Sequence, residues 1–386
     1  VKPGNSVLSS YGTTIFETMS RLAAAHGAVN LGQGFPEGLE CREVVEAGAR
    51  GVLEGPHQYP SMMGTNSLRE AIARHADRFY GLKVDPMTEV MVTSGATEAL
   101  CDCLMGLIEP GDEVVLIEPL YDSYLPIIRR AGGIPRLVRL EPPLWELPRE
   151  ALTRAFSHKT KLIILNSPMN PASRVFGQDE LEFIAHLLEK HDAYAVCDEV
   201  YEHLIYDGLP HVPLMTLPGM RERCARIGSA GKIFSLTGWK IGWVVAAPKL
   251  LQPIVKAHQY VTFTTPPMLQ EAVAYGLGLP DAFFEKLKSD LAKRRDKLKA
   301  GLQKIGFATL DAKGSYFLSA DFRPLGFNGK DDEFCRHITE TAKVTAIPVS
   351  AFYQSQPPDH FARFCFAKKD EAIEEALSRL EKHFGR

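Results

Sequence analysis

The run Lys161-Leu162-Ile163-Ile164-Leu165-Asn166 is apolar at every interior position. A strand with one wet face alternates apolar and polar residues, so an unbroken run marks a strand covered on both faces. Such strands belong to parallel sheets flanked by helices. The surrounding chain repeats the theme from about residue 41 to residue 279. Strands are expected at residues 89–93, 113–118, 193–198 and 241–247, and helices at 96–108, 122–131 and 179–191. Ser67-Leu68-Arg69-Glu70 reads as a capping box that opens a helix with Leu68, Ile72, Ala76 and Phe79 on one face. Strands alternating with helices give an α/β fold with a mainly parallel sheet. Ligands of such sheets sit beyond the carboxyl ends of the strands.

After residue 279 the pattern changes. Residues 281–305 form one long charged amphipathic helix. A hairpin is expected around residues 312–314, a helix at 331–341, short strands at 344–347 and 363–367, and a last helix at 370–384. This is a smaller α+β domain. Residues 1–21 are polar and mixed, an arm that gains order by docking, with Ile15, Phe16 and Met19 as anchors. The expected division is therefore an arm (1–21), a large domain (45–279) and a small domain (22–44 with 280–386).

Composition narrows the function. The 386 residues carry a net charge of -3, with 45% hydrophobic and 24% charged residues. There is no basic excess for nucleic acid or an anionic membrane. The 7 cysteines (Cys41, Cys101, Cys103, Cys197, Cys224, Cys335 and Cys365) are scattered and form no C-x-x-C pair. That pattern fits reduced thiols in the cytoplasm and no metal site. No apolar stretch has membrane-spanning length. The opening residues lack a basic segment followed by an apolar run, so no secretory signal is expected. Gly32-x-Gly34 is not a dinucleotide fingerprint, because the third glycine is displaced to Gly38 and Pro36 stands where a helix should open. A nicotinamide dehydrogenase is disfavoured accordingly. A transcriptional regulator built on a similar domain would need a basic extension, and no basic stretch is present.

The chemistry gathers around Gly228-Ser229-Ala230-Gly231-Lys232, followed by Thr237-Gly238-Trp239-Lys240. It is not a phosphate loop of the nucleotide-binding type, which needs Gly at 226 and Ser or Thr at 233, where this chain has Arg226 and Ile233. A lysine becomes a Schiff-base former when a desolvated, partly cationic pocket lowers its pKa. Lys232, with Ser229 and Lys240 beside it, suits an imine next to a bound phosphate. Alternatively it is a solvated loop lysine.

Four further stretches fit the same picture. Ser94-Gly95-Ala96-Thr97 lies between a strand and a helix and offers backbone N–H groups and hydroxyls to an anion, or is a plain helix cap. Tyr121 follows a strand end, where it either stacks on a planar ring or packs on the sheet. Asn170, in Ser167-Pro168-Met169-Asn170-Pro171, sits beside prolines able to adopt the cis form. Asp198, in Asp198-Glu199-Val200-Tyr201, is a carboxylate leaving a buried strand and needing a partner. A pyridinium N–H is one candidate, and Tyr201 is close enough in sequence to reach the same ring. Arg363 is a charge inside the apolar strand Phe361-Ala362-Arg363-Phe364-Cys365-Phe366. It calls for a carboxylate, either a ligand's or a structural one.

The ordered set Gly34, Ser94-Gly95-Ala96-Thr97, Tyr121, Asn170-Pro171, Asp198-x-x-Tyr201, Ser229-x-x-Lys232, Lys240 and Arg363 resembles the fold-type I pyridoxal-phosphate aminotransferases of class I/II. The resemblance covers essentially the whole chain. Asn30-Leu31-Gly32-Gln33-Gly34-Phe35-Pro36, His57-Gln58-Tyr59-Pro60 and Thr237-Gly238-Trp239-Lys240-Ile241-Gly242-Trp243 are similar to the branch of kynurenine aminotransferase (glutamine transaminase K) and bacterial methionine aminotransferase. It implies a cofactor, pyridoxal 5'-phosphate, bound as a Schiff base to Lys232, which then shuttles the Cα proton. Asp198 is implied at the ring nitrogen, Asn170 and Tyr201 at the ring oxygen, and Tyr121 against the ring face. Gly95, Ala96, Thr97, Ser229 and Lys240 are implied at the phosphate, joined by Tyr59 from a neighbouring subunit of a homodimer. Arg363, Asn170 and the Gly34 backbone are implied at the substrate carboxylate. Phe16, with Phe263 of the other subunit, is implied at the side-chain pocket.

The implied reaction is a ping-pong transfer of an amino group between an α-amino acid and a 2-oxo acid. Donors with methionine, glutamine, aromatic or kynurenine-like side chains are expected. A cysteine-conjugate β-lyase and an aminotransferase for a succinylated diamino acid are the alternatives; the latter needs a basic pocket that the sequence does not locate. The chain departs from the family pattern in having Ala172-Ser173 where many relatives have Thr-Gly, and Lys240 where more distant ones have Arg.

Overall fold

The computed structural model describes residues 2–385. Val1 and Arg386, at the ends of the expected arm and small domain, lie outside the described residues. A 7-stranded sheet forms the centre. Across it run Val90–Thr93, Gly242–Val245, Cys224–Ser229, Tyr194–Asp198, Thr160–Asn166, Glu113–Glu118 and Ile134–Arg139. Gly242–Val245 is antiparallel to both neighbours, and every other pairing is parallel. The fold is therefore α/β with a mainly parallel sheet.

Alternate residues of one strand feed two different cores. Leu162 and Ile164 join Val114, Leu116, Val196 and Ile227 on one face. Ile163 and Leu165 join Val115, Ile117, Ala195 and Cys197 on the other. Both faces must be apolar for this to hold, which is why the run at 161–166 has no alternation. Each such side chain contributes about 1.5–3 kcal/mol on burial.

A second sheet of 4 antiparallel strands is built from Ile347–Pro348, Phe361–Cys365, Phe317–Asp321 and Ala308–Thr309. The helices Asp281–Ile305, Asp331–Thr341 and Asp370–Phe384 accompany it. Phe307, Phe322, Phe334 and Phe364 fill its core, with Phe322 stacked on Phe334 at 4.1 Å. Val29–Asn30 pairs with Val344–Thr345 in a separate parallel bridge.

Several expected boundaries shift. The helix Asn66–Tyr80 is capped by Thr65, whose hydroxyl accepts from Leu68 N–H. Ser67, expected as the cap, instead donates its hydroxyl to Glu271. Thr65 is the earlier hydroxyl, and the chain turns there because Gln270 Oε1 accepts from Thr65 N–H at 2.7 Å. The helix Ile15–His26 runs through the arm boundary expected at residue 21, and Arg42–Glu54 runs through the one expected at 44. The strand expected at 344–347 is divided between two sheets. Cys224–Ser229 and Ile134–Arg139 are strands that the pattern did not announce.

Candidate active site

The parallel strands end side by side at one rim. Register places Asn166 opposite Asp198, and Thr93 and Ser229 on either side of Gly242. Because Gly242–Val245 runs the other way, its entry, Lys240 and Ile241, reaches the same rim. A cavity of about 310 Å³ opens there. It is lined by Phe16, Gly34, Gly95, Ala96, Thr97, Tyr121, Asn170, Asp198, Tyr201, Ser229, Lys232, Lys240 and Arg363. Tyr59 and Phe263 do not line it. They are 83% and 42% exposed and meet edge to face at 5.8 Å.

Lys232 sits in the short helix Ala230–Ile233 directly after a sheet strand. Its Nζ donates to Tyr316 Oη at 3.0 Å, and Tyr316 Oη donates to the Gly34 carbonyl at 2.6 Å. Burial pushes the Lys232 pKa down to about 8; Cys365 and Asp198 oppose the shift, and the charges of Arg363 and Lys240 reinforce it. A lysine so placed is neutral far more often near neutral pH than a solvated one, which is what a nucleophilic amine requires.

Asp198 closes its strand with its side chain buried. Oδ2 accepts from Tyr124 Oη at 2.6 Å, while Oδ1 is buried with no partner. Burial raises its pKa, and the Tyr124 hydrogen bond pulls the other way. An unpaired carboxylate oxygen in such a place calls for a donor, and a protonated ring nitrogen supplies one. Asn166 Nδ2 donates to the Asp198 carbonyl at 2.9 Å, and Asn166 Oδ1 accepts from Asn170 N–H at 2.8 Å. The two strand ends are thereby locked together.

The helix Gly95–Leu107 begins at the same rim, with Gly95 at φ +77. A Cβ there would meet Lys240 Cε at 3.3 Å, so a side chain would crowd the space between the helix start and the ammonium. Free N–H groups of a helix start, the Thr97 and Ser229 hydroxyls and one ammonium make a cup for a phosphate. The cup and the orphaned Asp198 oxygen fit the two ends of pyridoxal 5'-phosphate.

Arg363 is fully buried in its strand. Nη1 donates to Asn170 Oδ1 at 2.9 Å and Nη2 to the Gly32 carbonyl at 2.7 Å, while Nε has no partner. Its guanidinium lies 3.9 Å from the Phe317 ring centre, with Phe352 and Phe16 at 5.1 and 5.3 Å. Burial lowers its pKa to about 10. At Gly34 a Cβ would stand 2.8 Å from Phe317, so only glycine lets the backbone come this close. Arg363 supplies donors only, so Asn170 must turn its carbonyl to it and leave its NH2 group for another acceptor. The Asn170-Pro171 bond is cis. Ser173 takes φ +54, and its hydroxyl donates to the Phe317 carbonyl at 2.7 Å. The loop that departs from the family pattern is therefore tied to the strand beside Arg363.

Tyr316, Tyr124 and Asn166 were missed by the sequence reading. Both tyrosines sit among apolar residues and look like core, and only the packing shows their hydroxyls at Lys232 and Asp198. Asn166 carried a signal, as a polar residue ending a buried strand, and it stands opposite Asp198 in the sheet.

The model of the family described as aminotransferase class I and II matches residues 27–380. The chain is 44% identical over 386 residues to a probable N-succinyldiaminopimelate aminotransferase of Mycobacterium tuberculosis, covering 97% of each chain. It is 37% identical to methionine aminotransferase of Escherichia coli, again with 97% of each covered. The solved structure of the Mycobacterium tuberculosis N-succinyldiaminopimelate aminotransferase superposes with a TM-score of 0.96 at 43% identity, covering 98% of this chain and 100% of that one. Family model, full-length similarity and fold agree, and the chain belongs to the class I and II aminotransferases, fold-type I enzymes that depend on pyridoxal 5'-phosphate.

Proposed function

We propose that this aminotransferase takes its amino group from α-amino acids with neutral, unbranched or aromatic side chains, such as methionine, glutamine and phenylalanine. The observation that carries the reading is the surroundings of Arg363. Its guanidinium meets only neutral oxygens and lies among Phe16, Phe317 and Phe352. It offers one carboxylate-binding fork in an apolar setting. The other cations lining the cavity are Lys232 and Lys240, and both are used by the cofactor. A second carboxylate on the substrate finds no partner among the lining residues.

When bound, pyridoxal 5'-phosphate supplies an electron sink that acidifies the substrate Cα–H. The chain's own residues do the rest. Asp198 Oδ1 would accept the ring N–H, and Tyr124 keeps that carboxylate aimed. Asn170 and Tyr201 would serve the ring oxygen, and Tyr121 would cover the ring. Gly95, Ala96, Thr97, Ser229 and Lys240 would hold the phosphate. Arg363, Asn170 and the Gly34 backbone hold the substrate carboxylate. Lys232 Nζ would take the Cα proton and pass it on to C4′, and Tyr316 holds the amine when it is free.

We place Tyr59 and Phe263 at the site of a second copy in a homodimer. The two rings meet each other and stay exposed, at 83% and 42%, as expected of side chains that a second copy would cover. The 7 free cysteines fit a reducing cytoplasm. No helix among the described residues is long and apolar enough to cross a membrane.

A second reading, an N-succinylated diamino acid as donor, is supported by the name of the 44% identical relative. Single-turnover absorbance of the holoenzyme separates the two. Methionine, glutamine and phenylalanine are expected to bleach the lysine-bound cofactor band, and Lys232→Ala to abolish the change. Bleaching by N-succinyl-diaminopimelate alone would replace the first reading with the second.

A further inference from the structure

The helix that starts at the phosphate cup carries a carboxylate in its first turn. Glu98 Oε2 accepts from Ser94 N–H, beside the helix start. One turn further, Asp102 is fully buried and neither of its oxygens has a hydrogen-bond partner. A carboxylate suits a helix N-terminus in isolation. A helix start that also holds a phosphate is different, because a fixed negative charge there competes with the ligand.

His258, from the helix Pro248–Val261, meets both carboxylates. Its Nδ1 is 2.8 Å from Glu98 Oε1 and 3.5 Å from Asp102 Oδ2, and its Nε2 is 2.8 Å from the Met62 carbonyl. Each ring nitrogen faces only acceptors, so each must carry a hydrogen and the ring is an imidazolium. Burial opposes that charge, but the facing Asp102 and Glu98 carboxylates outweigh it and push the His258 pKa up to about 10. Burial raises Asp102 to about 6. At Glu98 burial is outweighed by bonds from His258, Thr262 and Ser94 N–H, so its pKa is lowered. Glu98, bonded to Ser94 N–H, is the carboxylate held at the cup itself. Met62 belongs to the segment between the helices Arg42–Glu54 and Asn66–Tyr80, which also carries Tyr59.

We propose that His258 is a positioning residue of the cofactor site, whose imidazolium cancels the Glu98 charge at the phosphate-binding helix start and ties that start to the segment bearing Tyr59. The inference rests on the reading that this helix start holds the cofactor phosphate. His258 does not touch the cofactor. It sets the potential that the phosphate meets and fixes the backbone around it.

The test compares pyridoxal 5'-phosphate with pyridoxal, which lacks the phosphate, titrated by absorbance into full-length protein stripped of cofactor. His258→Gln is expected to weaken the phosphate form about tenfold or more and pyridoxal less than about threefold, the scale of a charge at a helix terminus. Glu98→Gln combined with His258→Gln is expected to bring the phosphate form back to within about threefold of wild type. Equal weakening of both ligands in His258→Gln, or no rescue in the double variant, overturns the proposal. Wild type that binds both ligands equally overturns the cup reading along with it. If His258→Gln does not fold, Glu98→Gln decides alone: binding kept or tightened supports the proposal, and a loss beyond about tenfold contradicts it.

Discussion

Arg226 and Arg363 are both fully buried, both in strand interiors, and do opposite work. Arg226 is surrounded by charge. Its Nε donates to Glu199 Oε2 at 2.5 Å and its Nη2 to Glu202, whose Oε2 also accepts from Tyr80 Oη at 2.6 Å. His211 Nε2 lies 2.8 Å from the same Glu199 oxygen. Arg363 hydrogen-bonds only an amide oxygen and a backbone carbonyl and lies against aromatic faces, and the Asp122 carboxylate acts on it through its charge without a hydrogen bond. The pKa values follow. Burial opposes the charge of both, but Glu202 and Glu199 outweigh it at Arg226 and raise its pKa, whereas Arg363 is lowered to about 10. A buried cation that is already neutralised holds the fold. One left without a carboxylate is held ready for a ligand that brings its own.

The largest effect is expected from breaking the paired side. Arg226→Met leaves Glu199 and Glu202 buried without a counter-charge, a loss of about 3–5 kcal/mol. Chemical denaturation reads it directly. The account also predicts that the variant which remains folded keeps the wild-type KM. A variant as stable as wild type would show that the cluster does not hold the fold.

Breaking the unpaired side is expected to spare the fold and remove function. Arg363→Lys keeps a charge but loses the fork, and kcat/KM for methionine is expected to fall by about a hundredfold or more, as for a truncated buried charge contact. Its melting temperature and its lysine-bound cofactor band should stay close to wild type. A stability loss matching that of Arg226→Met would erase the distinction.

A smaller, pH-dependent effect sharpens the contrast. Next to the Arg226 cluster, His75 Nε2 and His203 Nε2 are 2.7 Å apart, so one donates and the other accepts, and both are neutral. Burial lowers their pKa values to about 4 and about 3. The unfolded chain binds protons near pH 6.5 and the folded chain does not, so stability falls as pH drops from 6.5 towards 4. Melting curves across that window should show the fall, and His75→Gln should flatten it.

Sequence alone distinguished these two arginines only in part. Arg363 stands out because every neighbour in its strand is apolar. Arg226 lies in Cys224-Ala225-Arg226-Ile227-Gly228-Ser229, where glycine and serine hide the strand, and its partners come from a separate segment. The central sheet was legible because strands buried on both faces lose their alternation, as at 161–166. The small sheet was less so, because Val344–Thr345 and Ile347–Pro348 are too short to carry a pattern and pair with different partners. At the site, charged and amide groups at strand ends could be picked out. Tyr316 and Tyr124 could not, since a tyrosine in an apolar stretch shows its ring and not the destination of its hydroxyl. Tyr59 and Phe263 had a residue signal, but in one copy of the chain they lie outside the cavity.

The most direct test titrates the holoenzyme with 4-methylthiobutanoate, a methionine analogue that has the carboxylate and side chain but no amine to react. Its binding is read as a shift of the cofactor absorbance in wild type and in Arg363→Lys. The account predicts saturable binding to wild type and a dissociation constant raised about a hundredfold or more in the variant. Equal binding to both would contradict the claim that Arg363 is kept unpaired for the substrate carboxylate.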